Sequence, residues 1–191
     1  GYPFIDACMR NLLSEGWITF RMRAMLVSFA SYQLWIDWRI TGNFLAKVFT
    51  DYEPGIHYSQ LQMQSGVTGI NAMRVYNPVK QSIEHDPSGA YIRKWVPELV
   101  GIPDEFIHTP WKQKNDLLDN YNFVLGRDYP EPIVNQETST KLAKQKIIDV
   151  RNSENFKQTA GAVFQKLGSR KRPSKKAPKS KKQHPDQLSL F

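Results

Sequence analysis

Four charged side chains near the start of the chain carry its clearest chemical signal. Arg21 and Arg23 stand in the first turns of an apolar helix, and Asp51 and Glu53 close the helix that follows. A guanidinium group taken into a helical interior needs an anionic partner. Either the arginines pair with these two acids, or they share the acids with a bound anionic or polar ligand. The histidines, His57, His85, His108 and His184, show no ligand spacing, and the single cysteine is Cys8. One cysteine excludes a disulfide framework and a cysteine-ligated metal or iron–sulfur site within the chain, so no metal is expected.

The elements that must position these groups read as helical. The chain has 191 residues, 40% apolar and 12% aromatic, enough for one domain with a real core. Phe4, Ile5, Cys8, Met9, Leu12 and Leu13 recur at helical spacing after Pro3, and Gly16 stops the run. A helix over 19–38 is predicted to be apolar on nearly every side. Its uncharged stretch, Ala24 to Ile36, is too short to span a bilayer, so it reads as a central buried helix with no membrane role. Thr41 is predicted to cap a third helix that stops by Pro54-Gly55. Residues 56–76 read as a long, polar segment, uncharged but for Arg74, whose Leu61, Met63, Val67, Ile70 and Met73 argue for order. Asp86-Pro87 reads as a helix start, and helices are predicted near 138–151 and 154–167. No strand-like alternation stands out, so the expected fold class is all-α.

Charge is unevenly placed. The net charge is +8, but Arg170 to Lys182 hold eight Lys or Arg and no acid, so the basicity belongs to a tail. From Gly168 the composition is Lys, Arg, Ser, Pro and Gln, which predicts disorder. Gly1-Tyr2-Pro3 opens without a methionine and reads as a cut-out piece or a processed chain. With one cysteine and no signal peptide, a reducing cytoplasm is expected.

Several motifs occur in a fixed order. They are Gly1-Tyr2-Pro3-Phe4-Ile5-Asp6-Ala7-Cys8-Met9-Arg10, Gly16-Trp17-x3-Arg21-x-Arg23 and Ile36-Asp37-Trp38. Then come Arg74-Val75-Tyr76-Asn77-Pro78, Asp86-Pro87-x-Gly89-x-Tyr91-Ile92-Arg93-x-Trp95-x-Pro97-Glu98-Leu99, and Tyr129-Pro130-x-Pro132-Ile133-Val134. Together they resemble the C-terminal FAD-binding domain of the cryptochrome/DNA photolyase family, in a divergent bacterial branch. The resemblance covers about residues 1–134.

That resemblance implies an all-helical FAD domain at 1–134, a helical extension at 135–167 and a tail at 168–191. It implies FAD as cofactor, UV-damaged DNA as partner, and light-driven electron transfer from reduced flavin to a pyrimidine dimer. Carried over by position, Trp17 lines the site, and Arg23 sits beside the isoalloxazine and pairs with Asp51. Asp51 and Glu53 accept hydrogen bonds from the ring edge, and His57 faces flavin N5. Arg21 and Arg74 lie at the DNA-facing mouth. Trp38 matches the middle member of the family's three-tryptophan electron relay. Leu61 stands where the flavin-proximal tryptophan is usual, Met63 where a second tryptophan packs on the dimer, and Phe20 where a polar flavin contact is usual. Tyr32, Trp35, Tyr52 and Tyr58 are the candidates for a substitute route. The family's diphosphate-binding loop and antenna domain would precede Gly1, so this chain alone is expected to hold FAD weakly or not at all. The antenna chromophore is not specified.

The tail ends Gln187-Leu188-Ser189-Leu190-Phe191, which resembles the pentapeptide by which bacterial repair and replication proteins bind the DNA polymerase sliding clamp. Three functions follow from these readings: a photolyase, a cryptochrome-like photoreceptor without repair activity, or a module that binds only clamp and DNA.

Overall fold

The computed structural model describes residues 1–68, 73–113 and 120–167. Two compact units divide the chain at Asp149 and Val150. Among the described residues every regular element is a helix, and Leu125 and Tyr129 form one isolated β-bridge.

Helix α1 (Pro3–Glu15) begins on a proline and ends on Gly16, whose φ of 71° is the left-handed region that closes helices. The inner face of α1 holds Phe4, Ile5, Cys8 and Leu12, all buried. They pack against α5 (Pro78–His85) and α6 (Ala90–Trp95). Polar ties fix this packing. Arg10 grips both carboxylate oxygens of Glu98 at 2.8 and 2.7 Å, and Asn11 Nδ2 donates to the Tyr91 hydroxyl at 2.8 Å.

Asp86 does not start a helix with Pro87 as expected. It closes α5, and α6 begins at Ala90 after Gly89, which adopts a φ of 67°. The capping chemistry is nevertheless present. Both carboxylate oxygens of buried Asp86 reach forward to the N–H groups of Tyr91 and Ile92, each at 2.9 Å. Gly89 is required here, because a Cβ would lie 2.8 Å from two carbons of Ile107. Ile107 ends the short helix α7 (Asp104–Ile107), which belongs to the same core.

The predicted helix over 19–38 is two pieces. Helix α2 (Phe20–Ser28), capped by Thr19, buries Ala24 through Ser28. It widens into a π-turn over Phe29–Gln33, and Trp35 then takes a φ of 53°. That break frees Asp37 to cap α3 (Trp38–Val48), its Oδ1 accepting from Arg39 N at 2.8 Å, so the cap lies four residues before the expected Thr41. Trp35 and Ile36 are consequently exposed rather than buried.

Helix α3 stops before Pro54-Gly55 as expected, but already at Val48, so Asp51 and Glu53 lie beyond its end instead of closing it. Pro54-Gly55 is also the first turn of α4 (Pro54–Gln64), and Glu53 caps it with both oxygens, on Gly55 N at 3.1 Å and Ile56 N at 2.6 Å. The first half of the segment expected to be irregular is therefore a helix. Toward the end of the chain, α8 (Gln136–Asn152) and α9 (Glu154–Leu167) match the expected helices within two residues at their starts. Within the second unit, α9 leaves Phe156, Val163 and Phe164 exposed. The expected tail and its terminal pentapeptide, Gln187 to Phe191, lie outside the described residues. Among the described residues no helix is long and apolar enough to cross a membrane.

Candidate functional site

The stretch from Gly16 to Gln64 folds back on itself to bring the charged groups together. Thr50 donates to the Gly16 carbonyl through its backbone N–H at 3.0 Å and its hydroxyl at 3.3 Å. The two turns touch so closely that a Cβ on Gly16 would lie 2.4 Å from Thr50 Cγ2. This stitch sets Asp51, one residue past Thr50, opposite Arg23 on α2.

Arg23 is fixed on four sides. Its Nε donates to the Ile18 carbonyl at 2.9 Å, and Nη1 and Nη2 donate to the two oxygens of Asp51, each at 2.9 Å. Its guanidinium carbon lies 4.2 Å from the centre of the Phe49 ring. The pair is not interior, since the Arg23 and Asp51 side chains are 23% and 48% exposed. The hydrogen bond from Arg23 holds the Asp51 carboxyl below its usual value. Arg21, expected to share this role or to face a partner, is exposed.

Helix α4 supplies the opposite wall. His57 Nε2 lies 2.9 Å from the Gly42 carbonyl of α3. A carbonyl only accepts, so Nε2 carries a proton and donates it to Gly42. Leu61, one turn on, is only 2% exposed, and it fills the space where a Cβ on Gly42 would stand, 2.6 Å from Leu61 Cδ1. Gly42 thus lets α3 and α4 approach closely enough for His57 to reach its carbonyl.

Between α2, α3 and α4 lies a cleft of about 150 Å³. Val27, Leu45, Phe49 and Leu61 make an apolar wall; Arg23, Asp51, Glu53, His57 and Gln60 make a polar edge. Gln60 Oε1 is buried and finds no hydrogen-bond partner. An orphaned acceptor beside an apolar wall suits a planar ring that carries an N–H on its rim. The isoalloxazine of FAD has that character. The volume falls below the roughly 300 Å³ at which pockets for drug-sized ligands begin, so it fits a ring system and not a whole dinucleotide.

Not every expected residue reaches this cleft. Trp17 is half exposed at the rim, its ring centre 6.0 Å from the Arg23 guanidinium carbon, and it is not among the lining side chains. Trp38 is half-buried at the start of α3 under the guanidinium of Arg39, at 4.8 Å. Met63 is half-buried on α4, and Arg74 is exposed over the ring of Tyr76, at 5.6 Å. None of these three lines the cleft. Conversely, Gln60, Gln64 and Ile56 line it without having been singled out. The signal for them was present in the helical spacing of Glu53, His57, Gln60 and Gln64, which place one edge of α4 along the cleft. It was hidden because this segment did not read as a helix.

Comparisons with known proteins point to one family. Residues 1–149 match the model of the FAD binding domain of DNA photolyase. A deoxyribodipyrimidine photo-lyase of Alkalihalophilus pseudofirmus is 39% identical over 145 residues, covering 75% of this chain and 30% of that protein. A cryptochrome DASH of Xenopus laevis is 38% identical over 135 residues, covering 70% of this chain and 26% of its own length. Among solved structures, a class III photolyase from Agrobacterium tumefaciens superposes with a TM-score of 0.75 at 32% identity, over 80% of this chain and 32% of that one. The chain therefore spans about three tenths of the length of these relatives. The protein belongs to the photolyase/cryptochrome family, as its FAD-binding domain.

Proposed function

We propose that the cleft between α2, α3 and α4 takes the isoalloxazine ring of FAD, and that the parent protein is a light-driven photolyase acting on UV-induced pyrimidine dimers in DNA. The observation behind this reading is the Arg23–Asp51 pair, held in two-pronged geometry at the rim of an apolar cleft that also buries an unpartnered acceptor. Reduced FAD, once photoexcited, supplies the electron that opens the dimer and takes it back afterwards.

The chain's own residues do the holding. Arg23 balances charge on the ring edge, and Asp51 and Glu53 accept its N–H groups. Both Glu53 oxygens already cap α4, so its flavin contact uses the second lone pair of an oxygen. His57 would face the N5 edge of the ring. Trp17 shields the rim, and Trp38 lies on an electron path from the surface. Arg21 and Arg74, both exposed, bind phosphates flanking the lesion, and Met63 packs on it. The domain limits expected from the sequence, 1–134, 135–167 and 168–191, belong to the same proposal. So does a bacterial cytoplasmic setting, with which the buried free thiol of Cys8 is compatible.

The tail adds a partner. Gln187, Leu188, Ser189, Leu190 and Phe191 dock on the DNA polymerase sliding clamp, with an affinity on the order of micromolar once ordering costs are counted. Deleting these five residues then abolishes clamp binding in a pull-down and leaves the helical body folded. A photoreceptor without repair activity is the second reading, supported by the cryptochrome relatives and by Leu61, Met63 and His57 at positions where photolyases differ. Repair of cyclobutane dimers by the parent protein under near-UV or blue light separates the two. Repair supports the first reading; a light-dependent flavin change with no repair supports the second.

A further inference from the structure

The cleft contains one side chain that gives up an electron readily. Among the described residues that line it, Tyr52 is the only phenol, and no indole, thiol or thioether joins it. Leu61, buried in the wall, is a saturated hydrocarbon and offers no redox group. Tyr52 does not stand alone. Its ring centre lies 5.2 Å from that of His57, which lies 5.2 Å from that of Tyr58, all edge to face. The Tyr58 hydroxyl donates to Asn43 Oδ1 at 3.3 Å. The nearby Tyr58 hydroxyl pushes the Tyr52 phenol above its usual value. Tyr52 is 38% exposed, so its proton has a direct way to water.

We infer that Tyr52, backed by Tyr58, is the electron donor that charges the flavin in this chain. The inference rests on the reading that the cleft holds the isoalloxazine ring. Tyr52 loses one electron to the photoexcited oxidised flavin and its phenolic proton to water. The O–H bond breaks, a neutral phenoxyl radical forms, and the flavin is reduced by one electron. Tyr58 restores Tyr52 by the same exchange in reverse. An electron and a proton return to the Tyr52 oxygen, and the Tyr58 hydroxyl becomes the radical. An external thiol then gives Tyr58 a hydrogen atom and leaves as a thiyl radical. Aromatic contact provides the electron path, and the solvent-facing edge of Tyr52 provides the proton path.

The test uses the chain saturated with FAD, under anaerobic blue light with a thiol present, with a protein-free FAD control subtracted. Flavin bleaching is followed near about 450 nm, where the oxidised cofactor absorbs. With flavin bound to saturation in each, Y52F is expected to slow bleaching by at least about tenfold, and Y58F by roughly two- to threefold. Spin-resonance spectra of the illuminated wild type are expected to show a radical that narrows when tyrosine is ring-deuterated. Bleaching of Y52F within about twofold of wild type would overturn the inference. So would a tryptophan-type radical that disappears in W38F, which would put the path through Trp38 instead. If no flavin binds, the dark titration shows it before any light is used, and the cleft reading fails together with the relay. A bound flavin that bleaches normally in Y52F removes the relay alone.

Discussion

The face where α1 meets α5 and α6 and the cleft between α2, α3 and α4 are built on opposite terms. In the first, Leu12, Ile92, Val96, Leu99 and Ile107 are fully buried, and the charged ties Arg10–Glu98 and Asp86 with the α6 amides are made completely within the chain. In the second, Phe20 and Ile56 are largely exposed, the Arg23–Asp51 pair stands partly in water, and Gln60 Oε1 lacks a partner. Apolar side chains left in water and an acceptor left unbonded both cost free energy. The first face also leaves Asn11 Oδ1, Gln81 Oε1 and Trp95 Nε1 unpaired, so the two differ in how far their apolar side chains are enclosed, which puts stability in the first and binding capacity in the second.

Substitutions in the two regions should therefore separate stability from flavin binding. The largest loss of stability is expected from Leu12→Ala, which empties a fully buried site and should cost about 2–5 kcal/mol in chemical denaturation. Asp86→Ala should follow, at about 1–3 kcal/mol, because it leaves the N–H groups of Tyr91 and Ile92 without their acceptor. Arg23→Gln should change stability by less than about 1 kcal/mol, since its ion pair is partly solvated, yet weaken flavin binding by at least about tenfold. Phe20→Ser and Ile56→Ser should move stability least, within about 0.5 kcal/mol, and still weaken binding. Equal stability losses in both regions would erase the contrast.

Acid acts on the pair in a defined direction. The Asp51 carboxyl titrates below its unfolded value because Arg23 donates to it. Its contribution is thus complete above the usual carboxylate range and disappears as the pH falls through its lowered folded value. Melting curves of the wild type and of Asp51→Asn should differ slightly near neutrality and converge at low pH. A gap that widens on acidification would mean the pair does not hold Asp51 charged.

Much of the first region was legible in the chain. Pro3, the helical spacing of Phe4, Ile5, Cys8 and Leu12, and Gly16 mark α1 almost to the residue. Asp86 was recognised as a cap but assigned the wrong helix start, because its carboxylate reaches across Gly89 to amides five and six residues on. The second region was harder to read. The π-turn over Phe29–Gln33 and the left-handed Trp35 leave no compositional trace, so the first of these helices looked as if it ran on to residue 38, with the next capped later, at Thr41. Glu53-Pro54-Gly55 looked like a stop because glycine and proline usually punctuate, yet glutamate before proline is also a cap and a first turn. The arginine and the acids could be named from the sequence, but only the Thr50–Gly16 stitch decides which of them meet.

A titration of the purified chain with riboflavin and with FAD tests the cleft most directly. Because the cleft has room for a ring system alone, both flavins are expected to bind, weakly and within about tenfold of each other, with Arg23→Gln abolishing both. No perturbation of either flavin's visible spectrum, or binding unaffected by Arg23→Gln, would contradict the assignment of this cleft to the ring.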